Sequence, residues 1–281
     1  MVERESKVKT RANTKKKLLI AAGVVAVALA AALVFISNYL VNYAIGRSGN
    51  GGDREVALEV DAPADSVEAV MEDNRAAYKS KIDTFTKGHP GRDVTLTADD
   101  GLTLHGVYYA NAETADTHRW ALVLHGYRGD YTGALQLAAP YYEAGYQVIA
   151  PDLRACGESE GDYVGMGWLD REDILRWIDF ILADDPEAKI VIHGISMGAA
   201  TTMMTAGEST PDNVKAFVED CGYTSVWDIF SSELQLRFGL PEFPILYTAS
   251  GVARLRAGYS FTEASALAQV ARCEKPMISA Y

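Results

Sequence analysis

The sequence predicts an α/β domain, a mostly parallel sheet with helices on both faces, preceded by one N-terminal transmembrane helix. Three observations carry this reading. Short runs that are apolar almost throughout, such as "WALVL", "QVIAP" and "KIVI", alternate with stretches of helical periodicity. That is the pattern of strands buried between two helical layers. Residues 18–36 are 19 consecutive positions without a charge or strongly polar group. The stretch "HGISMG" (193–198) joins a strand to a helix through Gly194-x-Ser196-x-Gly198, the spacing of a serine held on a tight strand-to-helix turn.

At about 1.5 Å rise per residue, residues 18–36 nearly span the hydrocarbon core of a bilayer. Lys15, Lys16 and Lys17 precede them. In residues 1–17, seven Lys/Arg against two Glu contribute +5 to a net charge of −12, leaving −17 for the remainder. Positive charge before the span assigns the tail 1–17 to the cytoplasm, residues 18–44 to a single-pass anchor in the cell membrane, and the rest to the extracytoplasmic side. A cleaved signal peptide is the alternative, with "ALAAA" supplying small residues, but its apolar region is usually only about 7–15 residues long. A soluble core helix would show a polar face, which this run lacks. "GRSGNGGD" (46–53) reads as a flexible Gly-rich linker. Residues 62–87 read as a mostly polar helix lying on the domain, so that 45–88 is linker and helix, and 89–281 is the domain proper.

Within the domain, residues 92–110 predict a hairpin turning at Asp100-Gly101, a dipeptide that accepts positive φ. A strand follows at 119–126, then a helix at 134–145 with Gly145 as its C-cap and Pro140 inside it. The next elements are a strand at 146–152, an amphipathic helix at 170–185, and a strand at 188–194. A helix from Met197 to Gly207 and a strand at 213–220 complete the series. Hydrophobic residues at 48% and charged residues at 23% fit a globular chain. The acidic balance argues against nucleic acid as a partner. Cys156, Cys221 and Cys273 are an odd count at wide spacing and read as mostly buried free thiols. No CxxC or paired-His spacing suggests zinc.

Gly-x-Ser-x-Gly occurs twice, and context separates the copies. Ser196 lies between "KIVIHG" and "MGAATTMMTAGE", a strand in and a helix out, with Gly194, Gly198 and Ala199 letting the two backbones approach. Ser159 follows its strand through six loop residues and leads into no helix. Glu158 and Glu160 beside it would oppose an oxyanion. Ser159 is therefore read as a turn residue and Ser196 as the nucleophile. Enzymes with such an elbow present one backbone N–H from the loop after the strand that ends in "LVLHGYRG". The oxyanion donors are accordingly assigned to the Tyr127 and Met197 amides. His125 is read as shaping that loop.

"LHGYRG", "PDLRACGESEG", "GMGWLDREDI", "HGISMGAAT" and "VEDCGYTS" occur in an order that resembles α/β-hydrolases of the membrane-anchored bacterial group, similar to serine aminopeptidase-like and esterase-like hydrolases. The resemblance covers roughly residues 90–277. It implies hydrolysis of an ester, amide or peptide acyl bond through Ser, His and Asp, without a cofactor. It also implies a helical cap at about 225–272, whose Trp227, Phe230, Phe238, Phe243 and Tyr247 are candidates for lining an acyl pocket or simply for packing.

In this fold the acid and then the histidine follow the serine in the chain. Here "KPMISAY" (275–281) reads as the opening of the acid-bearing strand, and all five histidines (His89, His105, His118, His125, His193) precede Ser196. Strand alternation aims His193 away from the serine. Asp220 is a secondary candidate for the acid, with the simpler role of fixing the "EDCGYTS" turn. The 281 residues thus read as a C-terminally truncated hydrolase of low activity and stability, since removing a catalytic histidine in a serine protease costs about 2 × 10⁶ in kcat. A membrane-tethered, non-catalytic binding module is the alternative.

Overall fold

In the computed structural model, residues 2–49 and 66–280 are described. Most of the expected Gly-rich linker, and Tyr281, lie outside them. The first helix, α1, runs Val2–Ile45. Among the described residues it is the one helix long and apolar enough to cross a membrane, over Lys15–Ile45, whose most apolar 18-residue stretch has mean hydropathy 2.9. Between residues 18 and 36 its side chains are exposed apart from a half-buried Leu33. Beyond that run the helix acquires a buried stripe, Ser37, Val41 and Ile45, at one-turn spacing. The chain does not loosen at Gly46 as expected of a flexible linker. Gly46 forms a bridge to Tyr163, and the Arg47 N–H donates to the Asp162 carbonyl at 2.8 Å.

Helix α2 (Val67–Gly88) opens on Ser66, whose Oγ accepts from the Ala69 N–H at 3.1 Å, a side-chain N-cap. It lies on the domain through Ile82 and Phe85. The hairpin is β1 (Arg92–Thr97) and β2 (Thr103–Tyr109), with Gly101 at φ +90° in its turn. The remaining strands are β3 (Arg119–Leu124), β4 (Gln147–Pro151), β5 (Lys189–Ile195), β6 (Val214–Asp220) and β7 (Met277–Ala280). They form one seven-stranded sheet in the order β1-β2-β4-β3-β5-β6-β7. Only the β1/β2 and β2/β4 pairs are antiparallel.

Side-chain alternation along the central strands feeds two cores. Leu122, Leu124, Ile190 and Ile192 point to the side of α4 (Asp170–Asp184) and α5 (Met197–Ala206). Ala121, Val123, Val148 and Ala150 meet Phe85 of α2 and Leu135 and Ala138 of α3 (Leu135–Glu143) on the other side. Helix α3 stops where Gly145 adopts φ +82°, the left-handed exit expected of a C-terminal glycine. All of α5 is buried. Its three threonines remain satisfied because each hydroxyl donates to the carbonyl four residues back, at 2.8–3.0 Å. After β6, α6 (Val226–Phe238), α7 (Glu242–Ala257) and the short α8 (Ala266–Val270) occupy the region expected of a cap. Helix α7 packs along the C-terminal part of α1.

Candidate active site

Ser196 sits between the last residue of β5 and the first of α5, at φ 56° and ψ −114°. Positive φ at a non-glycine residue is strained and persists only where surrounding structure over-determines it. Two glycines supply that structure. A Cβ at Gly194 would lie 2.0 Å from the Gly198 carbonyl oxygen, and one at Gly198 would lie 2.4 Å from the Leu124 carbonyl oxygen. The Ser196 N–H donates to the Asp220 carbonyl at 2.8 Å, and the Ser196 carbonyl accepts from Ala200 N–H at 3.0 Å. The side chain is left exposed.

The loop after β3 lies against the serine: a Cβ at Gly126 would meet Ser196 Cβ at 3.5 Å and its Oγ at 3.9 Å. Among the described residues, neither the Tyr127 nor the Met197 amide donates a hydrogen bond, and both flank Ser196 through this contact and the chain. His125 anchors the loop from beneath. It is fully buried, its Nδ1–H donates to the Gly126 carbonyl at 2.7 Å, and its Nε2 accepts from the Leu153 N–H at 2.9 Å. Burial holds its imidazole below the ordinary histidine range, consistent with the neutral ring these bonds require.

The other histidines are engaged elsewhere. His193 Nδ1 meets the Tyr141 hydroxyl at 3.2 Å on the α3 side of the sheet, away from Ser196 as alternation predicts. His105 is held by Asp152 at 2.8 Å and Asp93 at 3.2 Å. His118 pairs with Asp185 at 2.8 Å and Glu187 at 3.3 Å, and His89 packs on Tyr142 with ring centroids 4.3 Å apart. No described histidine therefore reaches the serine. Asp220 ends β6 half-buried, and its backbone carbonyl fixes the serine turn.

Ser159 is sealed: fully buried, it donates to the Asp152 carbonyl at 2.7 Å and accepts from His105 N–H at 2.9 Å. Of the cysteines only Cys156 is buried, while Cys273 is half-buried and Cys221 exposed. The reading of mostly buried thiols fails because Cys221 sits at φ 57° on the turn leaving β6.

Above Ser196 lies a cavity of about 230 Å³. Phe230, Leu234 and Phe238 of α6 and Ile245, Leu246 and Ala249 of α7 form one side. Of the five cap aromatics, Phe230 and Phe238 line it. Trp227, Phe243 and Tyr247 instead pack on one another, with Tyr247 centroids 4.8 Å from Trp227 and 5.9 Å from Phe243. A further part of the lining was not foreseen: Leu40, Tyr43 and Ala44 of α1. Its signal in the sequence is the interruption of the apolar run by Ser37, Asn38, Tyr39 and Tyr43, which marks a helix end facing protein as well as lipid.

The profile of the alpha/beta hydrolase fold matches residues 122–244, from β3 into the cap region. Together with the strand order and the strand–serine–helix elbow, that match shows the α/β-hydrolase fold. The chain belongs to the alpha/beta hydrolase superfamily. Among curated relatives of this α/β hydrolase, the uncharacterized protein YqkD of Bacillus subtilis is 26% identical over 179 residues, 63% of this chain and 58% of that one. The uncharacterized protein Rv2307c of Mycobacterium tuberculosis is 30% identical over 122 residues, 43% of each chain. The chain thus spans about half the length of the curated relatives it matches. Among solved structures, an esterase of Pyrococcus furiosus superposes with TM-score 0.53 at 23% identity, over 68% of this chain and 70% of that one. An alpha-beta hydrolase of Vibrio vulnificus gives 0.51 at 20%, over 72% and 68%. At such identities the likeness is one of fold.

Proposed function

We propose that this α/β hydrolase is a membrane-anchored serine hydrolase acting on an ester, amide or similar acyl bond. Ser196 Oγ attacks the acyl carbonyl, and the Tyr127 and Met197 amides receive the oxyanion. The alcohol or amine leaves with a proton, and water then releases the acid from the acyl-enzyme. The observation that carries this reading is an exposed serine on a strained elbow, lining an apolar cavity, beside two amides that have no other partner among the described residues. The general base is not among the described residues, so the reaction of this chain is expected to be slow. A fluorophosphonate tests it. Slow stoichiometric labelling of the chain that disappears in Ser196→Ala is the expected result, and labelling that survives this substitution refutes it.

A second reading, a tethered binding module without catalysis, draws support from the engagement of every described histidine elsewhere. Saturable acyl-ligand binding with no covalent adduct at any pH would favour it. For placement, the basic residues that precede the apolar run within α1 support a cytoplasmic N-terminus and an extracytoplasmic domain.

A further inference from the structure

The C-terminal turns of α1 form part of the candidate site as well as following the membrane span. Tyr127, the residue of the candidate oxyanion amide, donates its hydroxyl to the Ala44 carbonyl. The Arg128 guanidinium donates to the carbonyls of Tyr43, Ala44, Gly46 and Arg47 at 2.7–3.4 Å, capping the helix end where unpaired carbonyls concentrate negative charge. Arg47 grips the loop after β4 in turn, through the carbonyls of Ser159 at 2.6 Å and Gly157 at 2.9 Å. The helix end is therefore joined rigidly to two loops at the top of the sheet.

Position along α1 then sets the height of the cavity above the bilayer. Ile36 ends the apolar run, and Leu40 and Ala44 follow it four and eight residues later. At 1.5 Å per residue these wall residues stand about 6 and about 12 Å beyond the hydrocarbon boundary, and tilt only brings them closer. The headgroup layer itself is roughly 5–8 Å deep on each side. The N-terminal end of α7 is at the same level: Ser37 Oγ donates to the Ile245 carbonyl at 3.5 Å, and nearby Phe243 is 74% and Tyr247 57% exposed. An exposed tyrosine such as Tyr247 at that height is of the kind enriched at membrane interfaces. On the wall, Arg237 pairs with Glu233 and also donates to Tyr43 Oη at 3.1 Å.

We infer that the cavity takes an acyl chain of a membrane lipid, received from the leaflet beside α1. This names a substrate class for the reading above and rests on it for the membrane anchor and for the chemistry. The wall from α1 would hold the chain, and the ester group would lie towards Ser196.

The test uses the full chain in phosphatidylcholine vesicles containing a phosphatidylcholine with a diazirine at the end of one acyl chain. After photolysis, adducts are mapped by mass spectrometry. Adducts at Leu40, Phe230 or Leu246, lost in both Ala44→Leu and Ile229→Trp, which fill the cavity from α1 and from α6, are the expected result. Adducts confined to the outer surface of residues 18–36, or unchanged in both variants, overturn the inference. Two variants guard against one that fails to insert or fold. Ser196→Ala separates the two readings. It must keep the cavity adducts, and failed fluorophosphonate labelling of the parent chain with intact adducts discards the hydrolase and leaves the lipid site.

Discussion

At Gly194 the tightest constraint of the elbow meets its simplest test. With 2.0 Å between a built Cβ and the Gly198 carbonyl, backbone must move to admit even alanine. Gly194→Ala is expected to cost on the order of 3 kcal/mol, read as a fall in Tm of the detergent-solubilised chain, and a melt indistinguishable from the parent would contradict the close approach. His105 gives a pH signature. Burial opposes its charged form, but Asp152 and Asp93 outweigh burial and raise its pKa above the ordinary 6.5. A raised folded pKa means that the imidazolium's contribution is complete below about 6.5 and is lost as pH climbs through the folded value. The Tm difference between the parent and His105→Gln should therefore be largest near pH 6 and shrink towards pH 8. A difference that grows with pH would reverse the sign and the argument.

Among elements, α4 is tied to the loop after β4 by a buried ion pair. Arg154 Nε and Nη2 donate to Asp173 at 2.9 and 2.7 Å, Nη1 meets Asp100, and both Arg154 and Asp173 are under a tenth exposed. Removing only the cation leaves a buried carboxylate unpaired. Arg154→Met is expected to lower stability by about 3–5 kcal/mol, and Arg154→Met with Asp173→Leu to recover most of that loss. A double variant as unstable as the single one would mean that the pair contributes through packing of the arginine stem instead. The strands, the hairpin turn, α4, α5 and the elbow are legible in the sequence because each depends on local pattern: apolar runs, helical spacing, or a glycine where φ must be positive. The strand in "KPMISAY" was equally readable, and the structure lays it, as β7, parallel beside β6. What local pattern could not show is which cap aromatics face the cavity, because α6 and α7 orient against each other and against α1.

For the whole molecule, the proposed orientation is open to one cysteine. Cys221 is exposed, whereas burial pushes the Cys156 thiol up to about 12. A hydrogen bond to the neighbouring Asp220 carboxylate raises the Cys221 thiol above its ordinary value, so thiolate is scarce at neutral pH. In right-side-out vesicles a membrane-impermeant maleimide should modify Cys221 slowly at pH 7.5. It should act faster in Asp220→Asn and not at all in Cys221→Ser. Modification only after permeabilisation would place the domain on the cytoplasmic side.

The sequence by itself determined the class of fold, the apolar span and the serine that stands between β5 and α5, since periodicity, length and glycine spacing are written into consecutive residues. Tertiary structure alone decided that α1 does not end in a loose tether at Gly46 but walls the cavity with Leu40, Tyr43 and Ala44. It also decided that Arg128 and Arg47 clamp that helix to the loops around Ser196. Those contacts join residues some 80 to 110 positions apart. They arise only when packing brings the two strand-end loops onto the helix's unpaired carbonyls, and no local pattern records such a meeting.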